Sequence, residues 1–177
     1  MEIIADLHIH SRYSMATSKL GTPEYLDLWA RKKGISLVGT GDFTHPAWRE
    51  ELKEKLVPAE SGLYRLRDEY VLEEAKMLSG GAPRFVITGE ISSIYKKNGK
   101  CRKVHNVLLL SGLKEADKIA GRLEKIGNIH SDGRPILGLD CHDLLEILLE
   151  NCADGMLVPA HIWTPHFGLF GAASGFD

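Results

Sequence analysis

The stretch Ala5–Ser14, "ADLHIHSRYS", follows a short apolar run and sets Asp6, His8 and His10 at alternate positions. In a β-strand, residues two apart share a face, so one carboxylate and two imidazoles would aim at one point. Buried without partners, that trio is costly, and a divalent cation supplies the partner. Working outward, Glu2–Asp6 reads as a buried strand with the trio at its end. The same pattern returns along the chain. Ile35–Thr40 is an apolar strand closed by "GDFTHP", with Asp42 and His45. Arg84–Thr88 is closed by Gly89-Glu90. Lys103–Leu110 carries His105, and Met156–Ala160 is closed by His161.

Helical patterns lie between these strands. Thr22 and Pro23 start a helix that stops at Gly34. Trp48–Leu56, Tyr70–Leu78, Lys114–Ile126 and Asp143–Leu149 read as further helices, and Ser61–Asp68 as a short exposed strand. Asn98-Gly99 is a strong hairpin signal, with strands on both sides. Strand alternating with helix, and unbroken apolar strands, predict an α/β fold with a parallel sheet covered by helices. About five core strands are expected. In such sheets the site lies at the carboxyl ends of the strands.

The 177 residues suit one domain, and 44% hydrophobic with 26% charged residues suits a packed core. A net charge of -2 excludes a strongly basic protein, so any nucleic-acid contact must come from a local patch. Cys101, Cys141 and Cys152 are odd in number and lack C-x-x-C spacing, which points to reduced thiols in a cytoplasmic protein. No apolar run approaches membrane-spanning length, and no signal peptide is read at the start.

Five segments thus deliver His, Asp or Glu to one side of the expected sheet. Imidazole with carboxylate suits zinc, manganese or iron. The ligands exceed the needs of one ion, and two or three ions about 3.5–4 Å apart suit phosphoester hydrolysis. Each segment also has a plainer reading. Asp42 and His45 fit a helix N-cap and its neighbour before Pro46, Glu90 a surface carboxylate, and His105 and His161 hydrogen-bonded core histidines. Co-occurrence favours the metal site. His130 and His142 fall in a loop and at a helix start and are left outside it.

"DLHIHS", "GDFTHP", "TGEIS", "KVHNVLL" and "VPAHIW", in this order, resemble the PHP (polymerase and histidinol phosphatase) domain. "HSRYS", "GTGDFTHPAW", "ISSIYKK", "SDGRPILGLD" and "PAHIWTP" narrow the resemblance to the N-terminal part of endonuclease Q. The resemblance implies a distorted seven-stranded (β/α) barrel with a trinuclear site. It implies nicking of DNA 5′ of deaminated bases, uracil or hypoxanthine, and of abasic sites. The implied ligands are His8, His10, Glu90, His105 and His161, with Asp42, His45 or both. The implied ions are Zn2+, or Mn2+, Fe2+ or Mg2+. No Asp-x-His pair follows His161, so residues 1–177 correspond to an incomplete N-terminal portion of a PHP domain. The later strands, a zinc-ribbon region and a helical part lie beyond them. Two other readings stand beside this one: a phosphatase for a small phosphomonoester, and an inactive scaffold that binds DNA or a partner protein.

"KKNGKCRK" gathers Lys96, Lys97, Lys100, Arg102 and Lys103 at a hairpin, where they could neutralise phosphates or simply solvate a sheet edge. Tyr13, Tyr95 and Trp163 adjoin ligand segments and could stack on an extruded base. A strand at Met156–Ala160 without a further neighbour predicts an open edge. It also predicts self-association through that edge, or a tail, "TPHFGLFGAASGFD", folded across it.

Overall fold

The computed structural model describes residues 2–176. Eight strands form one sheet: β1 (Ala5–Asp6), β2 (Leu37–Gly39), β3 (Leu56–Pro58), β4 (Tyr64–Leu66), β5 (Arg84–Lys97), β6 (Lys100–Leu110), β7 (Ile136–Leu137) and β8 (Met156–Pro159). The helices are α1 (Pro23–Lys33), α2 (Pro46–Lys55), α3 (Glu73–Lys76), α4 (Leu113–Leu123) and α5 (Cys141–Asn151). The α/β class holds, in a curled sheet that forms half a barrel. Gly34, left-handed at φ 69°, ends α1 as expected.

The sheet is mixed, which corrects the expectation of a parallel one. β1, β2 and the start of β5 run parallel, and β7 joins β5 parallel at Ser92–Ser93. β6 returns antiparallel to β5 over eleven paired positions, and β8 is antiparallel to β6. The Asn98-Gly99 turn explains the difference. A two-residue turn can only join antiparallel neighbours, so the longest pair in the sheet needs no crossover helix. The strand total also exceeds the five core strands expected: β4 falls within the short strand read at Ser61–Asp68, and β3 and β7 are too short to show a period.

Two further expectations change. Tyr70–Leu78 is not one helix: a 3-10 turn at Asp68–Tyr70 is followed by the four residues of α3. The strand at Glu2–Asp6 shrinks to Ala5–Asp6 and is exposed, with Ile3 and Ile4 in solvent. β1 pairs only with β2, and β8 only with β6, so each has one unpaired edge among the described residues.

Parity along β5 sorts the two faces. Ile87 and Ile91 enter a core with Leu108 and Leu110 of β6, Ile119 and Leu123 of α4, and Leu144 and Leu148 of α5. A second core, Val38, Trp48, Leu52, Leu56, Leu66 and Phe85, lies under α2 and the β3–β4 hairpin. Burying such residues stabilises the fold by about 1.5–3 kcal/mol each. Thr88, Glu90 and Ser92 face the other way and are all buried. This polar face of the sheet carries the site.

Candidate metal centre

Register brings the first pair together. Ser92 pairs with His105 and Glu90 with Val107, so Glu90 and His105 share a face as diagonal neighbours. Both lie inside long strands, which corrects their placement at strand ends. β5 runs straight through Gly89, where a Cβ would meet the Phe43 ring at 2.6 Å. Glycine at this position makes room for Phe43 and does not stop the strand.

Glu90 is 2% exposed and sits at the centre of four imidazoles. Its Oε2 lies 3.3 Å from His8 Nε2 and 3.1 Å from His10 Nε2. Its Oε1 lies 2.7 Å from His105 Nδ1 and 3.5 Å from His161 Nε2. These donors form two overlapping groups, His8–His10–Glu90 and Glu90–His105–His161, each with its atoms within 4.8 Å of one another. Burial raises the Glu90 pKa, but the close approach of His10, His105 and His8 outweighs it and holds the carboxyl far below its ordinary range.

The outer nitrogens are held by other residues. His10 Nδ1 donates to Asp42 Oδ1 at 2.9 Å, since a carboxylate can only accept. Asp42 is fully buried in a left-handed turn at φ 50°. Its Oδ2 accepts from Ser11 N (2.6 Å), Ser11 Oγ (2.7 Å) and Ser14 Oγ (2.9 Å). His161 Nδ1 contacts Thr164 Oγ1 at 2.9 Å, leaving Nε2 toward Glu90. Such outer contacts fix the tautomer, so that the inner nitrogen offers a lone pair. Hydrogen bonds to Asp42 and then Glu90 raise the His10 pKa to about 9.

The donor chemistry fits a divalent metal. Despite its close neighbours, Glu90 Oε1 is buried with no aligned hydrogen-bond donor. His105 Nδ1 and His161 Nε2 are also 3.2 Å apart, so nitrogen lone pairs and carboxylate oxygens converge on a small volume. Imidazole with carboxylate is the donor set that zinc, manganese and iron prefer.

Other residues from the sequence reading take different places. Asp6 does not join His8 and His10. The strand has ended by Leu7, and Asp6 lines a groove with Ile9, Tyr25 and Trp29 of the α1 side. His45 lies outside both donor groups. Its Nε2 meets His130 O at 2.9 Å, its ring stacks on Tyr13 at 4.4 Å, and burial lowers its pKa. His142 forms a third, fully exposed group with Asp143 and Glu146 on α5.

The basic hairpin is smaller than its sequence suggests. Arg102 is 6% exposed, donates to Gly175 O and lies over the Phe176 ring at 4.5 Å. It faces the same way as Val104 and Leu108, so it holds the tail and is withdrawn from solvent. Lys103 faces the Phe167 ring at 5.7 Å. Lys97 donates to Asp140 at 2.7 Å, and Lys96 is exposed. Tyr95 is half-buried, and burial together with Cys141 raises its pKa, so its ring is no free platform. Trp163 is 75% exposed, beside Phe170 at 5.2 Å.

Some contributors escaped the sequence reading. The tail, expected at most to fold across the open edge of β8, lies instead along β6, with His105 N–H donating to Phe167 O (2.9 Å) and Lys103 N–H to Ser174 O (3.1 Å). The Phe167 ring covers His105 at 4.4 Å. Ser11 and Ser14 cradle Asp42; hydroxyls directly after the H-x-H pair were the available signal. Arg134 Nη1 stands 3.5 Å from Glu90 Oε2.

No family model matches the chain. It is 31% identical over 161 residues to an uncharacterized protein of Methanocaldococcus jannaschii, covering 90% of this chain and 16% of that protein. Two solved structures resemble it in fold and, at about a third identity, in sequence. The chain is similar to endonuclease Q. The lesion-specific endonuclease from Pyrococcus furiosus matches with a TM-score of 0.75 and 31% identity, over 95% of this chain and 36% of that one. Endonuclease Q in complex with a 27-mer duplex bearing an abasic lesion at the active site matches with a TM-score of 0.75 and 32% identity, over 94% and 36%. The chain therefore spans about a third of the solved relatives' length and about a sixth of the curated one's. Among the described residues, no helix is long and apolar enough to cross a membrane.

Proposed function

We propose that this chain carries the metal centre of a DNA-repair endonuclease that nicks 5′ of deaminated bases, uracil or hypoxanthine, or at abasic sites. The observation that carries this reading is the convergence of His8, His10, His105 and His161 on Glu90, in a fold matched by a lesion-specific endonuclease. Zn2+ is the favoured ion, with Mn2+, Fe2+ or Mg2+ as alternatives. When bound, such ions supply Lewis acidity at a phosphate and a more acidic water. The remaining work falls to the chain. Glu90 is shared by both donor groups, Asp42 and Thr164 orient imidazoles, and Phe167 screens His105 from water. Trp163, exposed two residues after His161, would stack on a base next to the reacting phosphate.

The hairpin would act at a distance. Seven residues separate Glu90 from Lys97, so the hairpin tip lies roughly 24 Å from the carboxylate along β5. It would meet flanking duplex and not the scissile bond. Replacing Lys96 and Lys97 with alanine should weaken DNA binding of all sequences alike and flatten its salt dependence, without altering metal content. The effect should be modest, because Lys97 already has Asp140 as a partner. Anisotropy titrations at stepped salt measure it, and an unchanged salt slope would reduce the hairpin to a solvated edge.

The reading itself is tested on one sample. Mass spectrometry should find at least one zinc-class ion per chain. Oligonucleotides with uracil, hypoxanthine or an abasic site should be nicked on the 5′ side by the metal-loaded protein. Hydrolysis of an aminoalkyl phosphate in place of DNA would overturn it. Sedimentation of the same sample checks the accompanying proposal that the open edges of β1 and β8, with Ile3, Ile4, Met156 and Val158 exposed, pair between copies.

A further inference from the structure

We propose that Arg134 is the anion-gripping residue of this site, its guanidinium taking the non-bridging oxygens of a phosphate ester held beside Glu90. In naming DNA as the source of that phosphate, the inference rests on the reading above.

Arg134 approaches Glu90 unlike a structural counter-ion. Elsewhere in the chain, arginines that neutralise buried carboxylates do so closely: Arg31 to Asp27 at 2.7 Å and Arg12 to Glu51 at 2.8 Å. Arg134 reaches Glu90 Oε2 with one nitrogen at 3.5 Å, and its side chain has no other partner among the described residues. Its side chain is 38% exposed over a carboxylate that is 1% exposed, so the guanidinium sits at the mouth of the site. Glu90 already has four imidazoles around it and does not need a guanidinium to hold it. A divalent ion in the His8–His10–Glu90 group would take Oε2 and repel the guanidinium. An arginine with five N–H donors would then stand beside a cation with its fork unfilled. A phosphate oxyanion matches that fork in shape and charge.

The backbone around Arg134 is pinned, so its reach is defined. Asp132 Oδ1 accepts from Arg134 N at 2.9 Å. Gly133 N donates to Tyr13 O at 3.0 Å, and Thr44 Oγ1 donates to Gly133 O at 3.2 Å. Gly133 lies so close to Asp42 that a Cβ would overlap its carboxylate. On the other side, Ser92 N donates to Pro135 O at 3.0 Å, just before β7 joins β5. The segment packed against Asp42, the residue that orients His10, therefore also presents Arg134.

The test uses the zinc-loaded full chain with Arg134→Gln and Arg134→Lys. Two probes are titrated: inorganic phosphate by calorimetry, and an abasic-site duplex by anisotropy at stepped salt. Metal content is measured on each sample. We expect unchanged metal content, about tenfold weaker binding of both probes by Arg134→Gln, and partial recovery by Arg134→Lys. The salt slope for the duplex should fall by about one. The inference is overturned if Arg134→Gln binds both probes as the parent does. It is also overturned if metal content falls with affinity, which would make Arg134 a partner of Glu90 alone, or if the metal-loaded parent binds neither probe. A parent that binds phosphate but not duplex refutes the DNA reading, and the phosphate arm then decides Arg134 by itself.

Discussion

Glu90→Gln should remove divalent metal from both donor groups at once. Glu90 is the one residue common to His8–His10–Glu90 and Glu90–His105–His161, and each group uses a different oxygen. Glutamine keeps the volume but loses the charge and replaces one acceptor with an N–H2 that repels a cation. Loss of an outer partner of a metal ligand already costs about 10–100-fold in affinity, and loss of a shared carboxylate ligand should exceed that. The fold should survive, because Glu90 is held by imidazoles and not by backbone donors. Zinc content after dialysis, with circular dichroism on the same sample, reads both. Retention of one ion at parental affinity would show that a donor group closes without Glu90. His142→Ala is the control, and its exposed group should contribute nothing.

Periodicity located most of this site and misjudged how the chain reaches it. The alternate spacing of His8 and His10 was legible and both meet Glu90, although the strand ends at Asp6. What failed was the inclusion of Asp6, since two-residue alternation has no force once the strand stops. Glu90 and His105 were legible as polar breaks in apolar runs. Their setting in mid-strand was not, because Gly89 looks like a terminator and is a packing glycine. Arg102 was misread for the opposite reason. Charge density along "KKNGKCRK" hid the alternation that puts it on the face of Val104 and Leu108. The tail that covers it was expected only across the open edge of β8, and without a period its place against β6 could not be read by pattern. Arg134 lies in "SDGRP", an Asp-Gly turn whose tertiary target nothing local specifies.

Asp42→Asn and Asp42→Ala should separate the two tasks of this carboxylate. Alanine would leave Ser11 N, Ser11 Oγ and Ser14 Oγ without their acceptor in a fully buried place, and would sit at φ 50°. The expected loss is roughly 3–5 kcal/mol, as when one member of a buried charge network is removed. Asparagine tolerates the left-handed turn and keeps the volume, so it isolates the charge. The fixed Ser11 N–H requires the amide oxygen on its side, which turns the amide N–H2 toward His10 Nδ1. That nitrogen must then accept, and the ring proton moves to Nε2, the atom that faces Glu90. Asp42→Asn should therefore fold yet bind metal poorly at His8–His10–Glu90, while Glu90–His105–His161 keeps its ion. The pH dependence follows from the same pair. His10 is raised from 6.5 to about 9 by Asp42 first and Glu90 second, so charged His10 contributes stability that is fully present below pH 6.5 and lost as pH rises through about 9. In metal-free protein, denaturant midpoints should fall across that window, and in Asp42→Asn they should fall less. Metal uptake runs the other way, since the ion must displace the His10 proton, and should tighten from pH 6.5 to 9. An asparagine variant with the parent's metal affinity and the parent's pH profile would mean that Asp42 does not set the His10 tautomer.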